Sequence, residues 1–550
     1  MKRMKYILTS FIALLFLTSC NELDLAPEDY YGSGNYWQNA SQVETAMQGL
    51  HVRARAYYWS LFQMGELRGG TFHVGASMIG TSLDAQQIVT NSLSEDIPGI
   101  TNWGNGIYYV IFPINLFITE VENGCTFLTE SQRNYYLGQA YGMRAFYYFM
   151  LYRTYGGVPL ITQPDVITST SAEQLYTARA TAEQTLKLIK DDITASETYF
   201  GSAASSQKVY WTPNANQMLK GQVYLWSAKV ATGDHAAGGK DDLTTAKNAL
   251  QNLMGQYSLL NEFGSIFDTG NKNNAETIFA FRFLEGEATM ANIGYFVAED
   301  RYFNGLFYTK EGKKMNDTLE VLNTSSHLLR YVYKWGLFES MNENDTRIAA
   351  TFLPCYSQSV DTVAHDTTYV PAGLLYRKTL GSINAANNRI YDADWVVYRY
   401  ADVLLMMAEI ENGLGNGTGA ADYINQVRAR AYGHNGDVAG FRTAYPDEVY
   451  TAGNFADNEL AILHERDKEF VLECSRWFDV VRLRGADGNS ICFSASAGYT
   501  DIDNDTPKAI LDYATQSHML LWPINVGVLN QNPLLTQTPG YPTNYSDRNK

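Results

Sequence analysis

Three glutamates, Glu465, Glu469 and Glu473, recur every fourth residue in the last fifth of this 550-residue chain. On a helix that spacing lines them along one face. Two such carboxyls can approach the ~5 Å separation of a retaining glycosidase, provided one stays protonated and the other ionised beside a cleft. Arg466, Lys468, Arg476 and Arg482 are spaced to neutralise them, and Trp477 and Phe478 suit burial. Structural ion pairing is therefore the reading the surroundings favour. Asp501, Asp503 and Asp505 alternate as in a calcium loop, but Thr506 and Asp512 stand where such a loop wants glycine and glutamate. A structural calcium is the one cofactor this leaves open. The eight histidines include no H-x-x-x-H pair, so a zinc site is not expected. The run from Gly233 to Lys240 misplaces the lysine of a phosphate loop and follows a helix pattern, where that loop needs a strand.

Aromatic residues are the more informative set. The chain has 39 Tyr, 25 Phe and 9 Trp, and an excess of Tyr suits surfaces that are part apolar and part hydrogen-bonding. Such surfaces stack the CH-rich faces of sugars, hold peptides, or pack helices. Trp103 sits among Asn102, Gly104, Asn105 and Gly106, so its ring could stand over a loop. Tyr295, Phe296, Tyr302, Phe303 and Trp335 form a second aromatic group, with Asn292, Arg301 and Asn304 nearby. Arg68, Thr71 and Asp84 lie in early loops as hydrogen-bonding candidates.

The elements that position these residues read mainly as helices. Helical periodicity predicts Gln42–Arg55 behind Ser41 as cap, Ile107–Glu122 kinked at Pro113, and Ser131–Tyr155 stopped by Gly156 and Pro159. It continues over Ala182–Tyr199, Asn214–Ala231 and Thr244–Tyr257. Helices return at Tyr398–Leu414, Ala420–Ala431 and Glu459–Arg484. Between about 261 and 395 the texture is irregular, with one strand-like stretch at Glu276–Phe283; long ordered loops of this kind often carry binding residues. Paired helices with small residues at their crossings suggest tetratricopeptide-like units, although no clean 34-residue period exists.

The N-terminus reads as a signal segment. Lys2, Arg3 and Lys5 precede a short apolar run, Ile7 to Leu17, and Leu17-Thr18-Ser19-Cys20 closes it as a bacterial lipobox. The run is too short to span a bilayer permanently. Cleavage before Cys20 would leave a lipid-anchored body on a tether over residues 20–36. With 45% hydrophobic and 18% charged residues the body is globular. Its formal charge of −17 includes the three signal-segment cations, so the mature body is near −20 and repels nucleic acid. Cys125, Cys355, Cys474 and Cys492 are widely spaced without a C-x-x-C, and a body this large needs no disulfide framework.

Taken in order, the motifs resemble those of the SusD/RagB family of outer-membrane nutrient-binding lipoproteins. Gly65-Glu66-Leu67-Arg68-Gly69 is similar to that family's "GE-x-RG" turn, and the run from Trp103 to Asn115 to its W…Y…I…N helix. Arg144-Ala145 through Tyr155-Gly156-Gly157-Val158-Pro159-Leu160 is similar to "RA-x-x-Y…YGGVPL". Tyr398 to Leu405, Ile424 to Ala431, and His464 to Asp479 resemble "RYADVLL", "IN-x-VRARA" and "ERR-x-EF…RWFD". Trp522-Pro523-Ile524, Asn532-Pro533 and Pro539-Gly540-Tyr541 resemble the family's ending. Gly70 stands where many members carry an acid after the turn.

The resemblance implies a mainly α fold: a scaffold of tetratricopeptide-like helix pairs over about 37–260 and 396–550, with a loop-rich ligand-binding half over about 261–395, in one domain from 37 to 550. It implies a non-catalytic surface lipoprotein, lipidated at Cys20 and anchored to the outer membrane facing outward. Such a protein passes oligosaccharide to a SusC-like TonB-dependent transporter. The alternatives are the same scaffold binding oligopeptides, as RagB-like members do, and a surface glycosidase. The ligand-binding residues expected are Trp103, Asn102, Asp84, Arg68, Thr71, Tyr295, Phe296, Arg301, Tyr302 and Trp335.

Overall fold

The computed structural model describes residues 36–165, 169–202, 207–297, 306–315, 328–363 and 365–542. The signal segment, Cys20, most of the tether, Arg301 and Tyr302 lie outside the described residues.

The chain is mainly α. The N-terminal helices are α1 (Ala40–Arg55), α2 (Tyr58–Gly65), α3 (Tyr108–Asn123), α4 (Glu130–Tyr155), α5 (Ala182–Phe200), α6 (Pro213–Lys229) and α7 (Lys240–Gln251). The C-terminal set is α8 (Tyr400–Gly413), α9 (Gly417–Ala431), α10 (Phe455–Glu469) and α11 (Arg476–Arg482). Helices α3 to α10 pack on their neighbours as an array, α3 on α4, α4 on α5, α6 on α7, α7 on α8, and α8 on both α9 and α10. Their starts follow capping chemistry. Thr129 and Thr181 each accept from the backbone of a glutamine three residues on, which returns the bond to the cap's own N–H. Thr212 caps α6 ahead of Pro213. The cap of α1 is Asn39, not Ser41, so the helix begins at Ala40. Pro113 is accommodated inside α3.

Among the described residues, six strands form three two-stranded antiparallel ladders. Strand β1 (Thr277–Phe281) pairs with β6 (Trp395–Arg399), closing the irregular segment onto the start of α8. Strands β2 (Phe352–Asp361) and β3 (Asp366–Tyr376) make a long hairpin whose base is buried and whose tip is exposed. Strands β4 (Ser382–Ile383) and β5 (Arg389–Ile390) make a small clip. Buried apolar side chains from Val43 to Tyr541 form one main core, with small separate clusters around Phe263 and Phe441. No helix among the described residues is long and apolar enough to cross a membrane, and the four cysteines described are free thiols.

The segment expected as one helix from Glu459 to Arg484 is two. Helix α10 stops at Glu469, and Leu472 and Cys474 take positive φ of 61° and 64° before α11 begins. The break places Glu473 on the connecting turn, so the three glutamates do not share a helix face. They do share a cluster of charges. Arg399 reaches Glu276 (2.8 Å), Glu469 (2.6 Å) and Glu473 (2.7 Å). Arg347 reaches Asp345 (2.7 Å), Glu465 (2.8 Å) and Glu469 (2.9 Å). Arg430 joins Glu276 (3.0 Å) and Glu469, Arg428 joins Glu465 (2.7 Å), and Lys378 joins Glu473. Apart from the three glutamates, these charges come from five separate stretches of chain: 276, 345–347, 378, 399 and 428–430. Of the cations expected from sequence, Lys468 lends its charge to Glu465, while the other three serve elsewhere: Arg466 pairs with Asp402 and Asp479, Arg476 with Asp467, and Arg482 with Glu409. Burial alone would raise the Glu465 carboxyl, but Arg347 and Arg428 hold it down at about 2. Glu469, ringed by Arg430, Arg399 and Arg347, is held below the ordinary carboxylate range despite its burial. Both carboxylates are therefore ionised and fully committed, and neither faces a cleft as a proton donor.

Candidate functional site

Trp103 stands on an unusual piece of backbone. Asn102, Trp103, Gly104, Asn105 and Gly106 all have positive φ, between 46° and 100°, and so form a left-handed turn just ahead of α3. L-residues disfavour this conformation by roughly 1–2 kcal/mol each; Asn and Gly tolerate it best, and Trp does not. Specific bonds hold it. The Gly104 N–H donates to the Tyr155 hydroxyl at 3.0 Å. The Asn105 amide donates to Gln63 Oε1 at 2.7 Å while its own Oδ1 accepts from the Thr101 N–H at 3.1 Å. Tyr155 and Gln63 belong to α4 and α2, so two scaffold helices fix the turn.

The half-buried Trp103 ring sits edge-on to Tyr155 (centroids 5.2 Å apart) and Tyr108 (6.1 Å). The Tyr108 hydroxyl donates to the Pro159 carbonyl at 2.6 Å, which ties the start of α3 to the segment leaving α4. Trp103 and Tyr108 form one wall of a groove of about 280 Å³. Pro159, Ile161, Leu175 and Thr177 continue it, and Val528, Gln531, Asn532 and Leu535 from the C-terminal segment close the far side. Tyr109 at its edge is 64% exposed. Asn532 is occupied, donating to the Thr177 carbonyl at 2.9 Å. The side-chain amides of Asn102 and Gln531 make no hydrogen bond among the described residues, which leaves them available at the groove. No charged side chain among the described residues lines it. An aromatic, apolar and amide-lined groove suits a neutral ligand with CH-rich faces and hydroxyls.

The other expected residues are not gathered there. Arg68 is fully buried: its guanidinium lies 4.0 Å from the Trp477 ring and 5.0 Å from Trp522, and donates to Asn91 and to the Met519 carbonyl. Thr71 is also buried. Phe296 stacks on Tyr331 and Tyr333 inside the core. Trp335 is buried against Phe338 and Tyr356, its indole N–H given to Glu339. These four are packing residues, because burial encloses each of them among internal neighbours. Asp84 and Tyr295 are half-buried in a different place. There the 71–84 loop lies along residues 329–334: the Asp84 N–H donates to the Arg330 carbonyl, and the Arg330 N–H donates to the Tyr295 carbonyl. The Asp84 carboxylate is 3.9 Å from Arg330. Asp501 is drawn to His73 at 2.8 Å, which lifts the imidazole above its ordinary range through that hydrogen bond. Among the described residues no three His, Cys, Asp or Glu side chains are grouped to hold a metal.

The glycine-glutamate turn at 65–69 is likewise a joint. Gly65 lies so close to the Cys474 carbonyl that a Cβ there would sit 2.0 Å from its oxygen. Glu66 is buried, accepting from the Leu472 N–H at 3.1 Å and from Tyr333 at 3.3 Å. This turn locks α2 to the break between α10 and α11. Burial pushes the Glu66 carboxyl up to about 8, although these donors and the nearby Lys378 and Arg476 oppose it.

A family model described as the SusD family matches residues 264–541, half of the chain. The chain belongs to the SusD family. A second model, described as "Starch-binding associating with outer membrane", matches residues 38–225 and so takes in the Trp103 turn. The SusD-like protein P38 of Formosa agariphila is 25% identical over 520 residues, covering 88% of this chain and 93% of that protein. Among solved structures, a SusD superfamily protein from Bacteroides fragilis superposes with a TM-score of 0.82 at 37% identity, over 92% of this chain and all of the other. B. fragilis NanU superposes with a TM-score of 0.78 at 34% identity, over 94% of this chain and all of the other. The SusD-family fold thus extends across both the helical array and the irregular segment.

Sequence reasoning misses most of the groove. Nothing local marks Tyr109, Leu175, Thr177, Gln531 or Leu535. Pro159 and Asn532 stand out only within family-like motifs, and those motifs are the available signal: both are places where the backbone turns beside Trp103.

Proposed function

We propose that this SusD-family member is a surface glycan-binding lipoprotein that captures a neutral oligosaccharide in the Trp103 groove and passes it to a SusC-like TonB-dependent transporter. The observation that carries the reading is the left-handed turn that holds Trp103 over an aromatic, amide-bearing groove lined, among the described residues, by no charged side chain. The second family model's description supports the glycan class and the outer membrane. Catalysis has no part in the proposal. The acids that could have supplied it, Glu465 and Glu469, are each saturated by two or three cations. Cys20 is the proposed lipid attachment, and Cys20→Ala should move the protein from the membrane to the soluble fraction.

Calorimetry against neutral glucans, other neutral glycans and a peptide pool tests the reading. Trp103→Ala should weaken glycan binding about tenfold, the order expected for loss of one stacked ring, while the protein stays folded with a melting temperature lowered only by the lost edge contacts to Tyr155 and Tyr108. Heat with peptides alone, or equal glycan affinity in Trp103→Ala, would refute it. Chromatography of the incubated glycan should show no shorter products.

A further inference from the structure

Beneath the clip of β4 and β5 lies a second cleft, of about 390 Å³, well away in the chain from the Trp103 turn. It is lined by Arg377, Lys378 and Arg389 on one side and by Ser265 and Thr269 on the other, with Asp268 on the rim. That volume falls within the roughly 300–1,000 Å³ of small-molecule sites, so it holds more than a water or a bare ion.

The charges around it do not balance. Under the cleft the buried cluster is closed, with Arg347, Arg399, Arg428, Arg430 and Lys378 facing Asp345, Glu276, Glu465, Glu469 and Glu473. The Lys378 ammonium belongs to that cluster: it turns inward to Glu473 and to the Glu469 and Val471 carbonyls. Arg377, its neighbour in sequence, points elsewhere. Among the described residues it is the one arginine whose guanidinium makes no hydrogen bond or ion pair, in a chain carrying a net charge of −17. It is only half-exposed, and burial alone depresses its ionisation, with no neighbouring acid to oppose the effect. Arg389 is engaged: it donates to the Gly381 carbonyl at 3.2 Å and has Asp392 as an acidic neighbour. The rim acid, Asp268, is exposed and has its Oδ1 occupied by the Gly270 N–H at 2.9 Å. A half-buried guanidinium without a carboxylate is a fork of donors shaped for a planar or tetrahedral oxyanion.

We propose that the cleft of Arg377 and Arg389 is a second ligand site, which binds the carboxylate or sulfate group of a small acidic sugar. Arg377 supplies the fork, Arg389 adds positive potential, and the Ser265 and Thr269 hydroxyls meet the ring hydroxyls. The sugar part rests on the glycan reading above; the anion part and the place do not.

Calorimetry of the full chain with glucuronate, glucose 6-sulfate and glucose separates the outcomes. The two anionic sugars should bind at low salt and weaken as salt rises, whereas glucose should give no heat at this site. Arg377→Gln and Arg389→Gln should each weaken the anionic sugars about tenfold, and Arg377→Lys should recover only part of the loss. Trp103→Ala should leave this binding unchanged even if neutral-glycan binding fails. Whichever anionic sugar binds more tightly identifies the source of the oxyanion. No heat from either anionic sugar, equal affinity for glucose, or full affinity in an Arg377→Gln protein that melts as wild type would each overturn the proposal. Loss of anionic binding in Trp103→Ala would place the anion in the other groove and overturn it as well.

Discussion

Changing Glu469 to glutamine removes a single negative charge from a point where three guanidiniums converge. Its carboxylate accepts from Arg347 at 2.9 Å, from Arg399 at 2.6 Å and from Arg430, all within fully buried surroundings. The substituted side chain keeps one acceptor oxygen, but its amide now points two donors at cations. At least one charge-assisted bond is lost, worth about 1.5–3 kcal/mol, and the excess positive charge remains without solvent. Breaking a buried pair from one side costs about 3–5 kcal/mol in comparable settings. A domain is stable by only about 5–15 kcal/mol, so Glu469→Gln should take about a fifth or more of the total. Urea unfolding followed by tryptophan fluorescence reads this as a lower midpoint with similar slope. Adding Arg430→Met in a double-mutant cycle should recover part of the loss, because it removes one of the stranded cations. A Glu469→Gln protein within about 1 kcal/mol of wild type would show that the cluster does not hold the scaffold. A mutant that folds normally and loses a hydrolytic activity would show that the carboxylate is a catalyst.

Buried carboxylates set the acid limit. Glu465, held by Arg347 and Arg428, and Glu409, held in a separate group by Arg482 and Lys229, lie at about 2 against an ordinary 4.5 and contribute stability that is complete above pH 4.5 and lost as pH falls toward 2. Each accounts for about 3 kcal/mol, so acid unfolding should set in below pH 4.5 and steepen toward 2. Glu66 titrates in the opposite sense. Its native carboxyl holds a proton up to about pH 8, so the fold loses stability as pH rises from 4.5 to 8. Glu66→Gln keeps the acceptor for Leu472 and does not ionise; its advantage over wild type should widen from pH 5 to pH 8, and a constant gap would exclude a protonated Glu66. Gly65→Ala should destabilise by more than about 2 kcal/mol, because the methyl meets a main-chain carbonyl that cannot swing away; an unchanged melting temperature would mean that α2 is not docked this tightly.

How far the sequence speaks for the structure differs between elements. The long helices are legible because periodicity and capping residues are local signals, and most ends fall within a few residues of their observed places. The break between α10 and α11 is not. Leu472 and Cys474 are not the residues that usually take positive φ, and the turn they form is held in tertiary contact with Gly65 and Glu66. The pairing of Glu465, Glu469 and Glu473 can be foreseen in kind but not in partners, since Arg347, Arg399 and Arg430 arrive from distant segments. Arg68 and Thr71 look like loop groups free to meet a ligand, yet burial, for Arg68 against Trp477 and Trp522, is a tertiary fact with no local mark. Trp103 is legible for the converse reason: a large ring among Asn and Gly is a local oddity. Its groove is not, because the facing wall at 528–535 lies in a remote part of the chain.

The left-handed turn at 102–106 bears on how quickly anything could be caught there. Its conformation is fixed during folding by Tyr155 and Gln63, so the Trp103 ring is set before a ligand arrives. Ordering a free side chain on association typically costs about 0.5–1.5 kcal/mol, and here that cost falls on the fold. Capture by such a ring needs no rearrangement step, so its rate is governed by encounter and orientation, and selectivity among ligands must appear in how long each one stays.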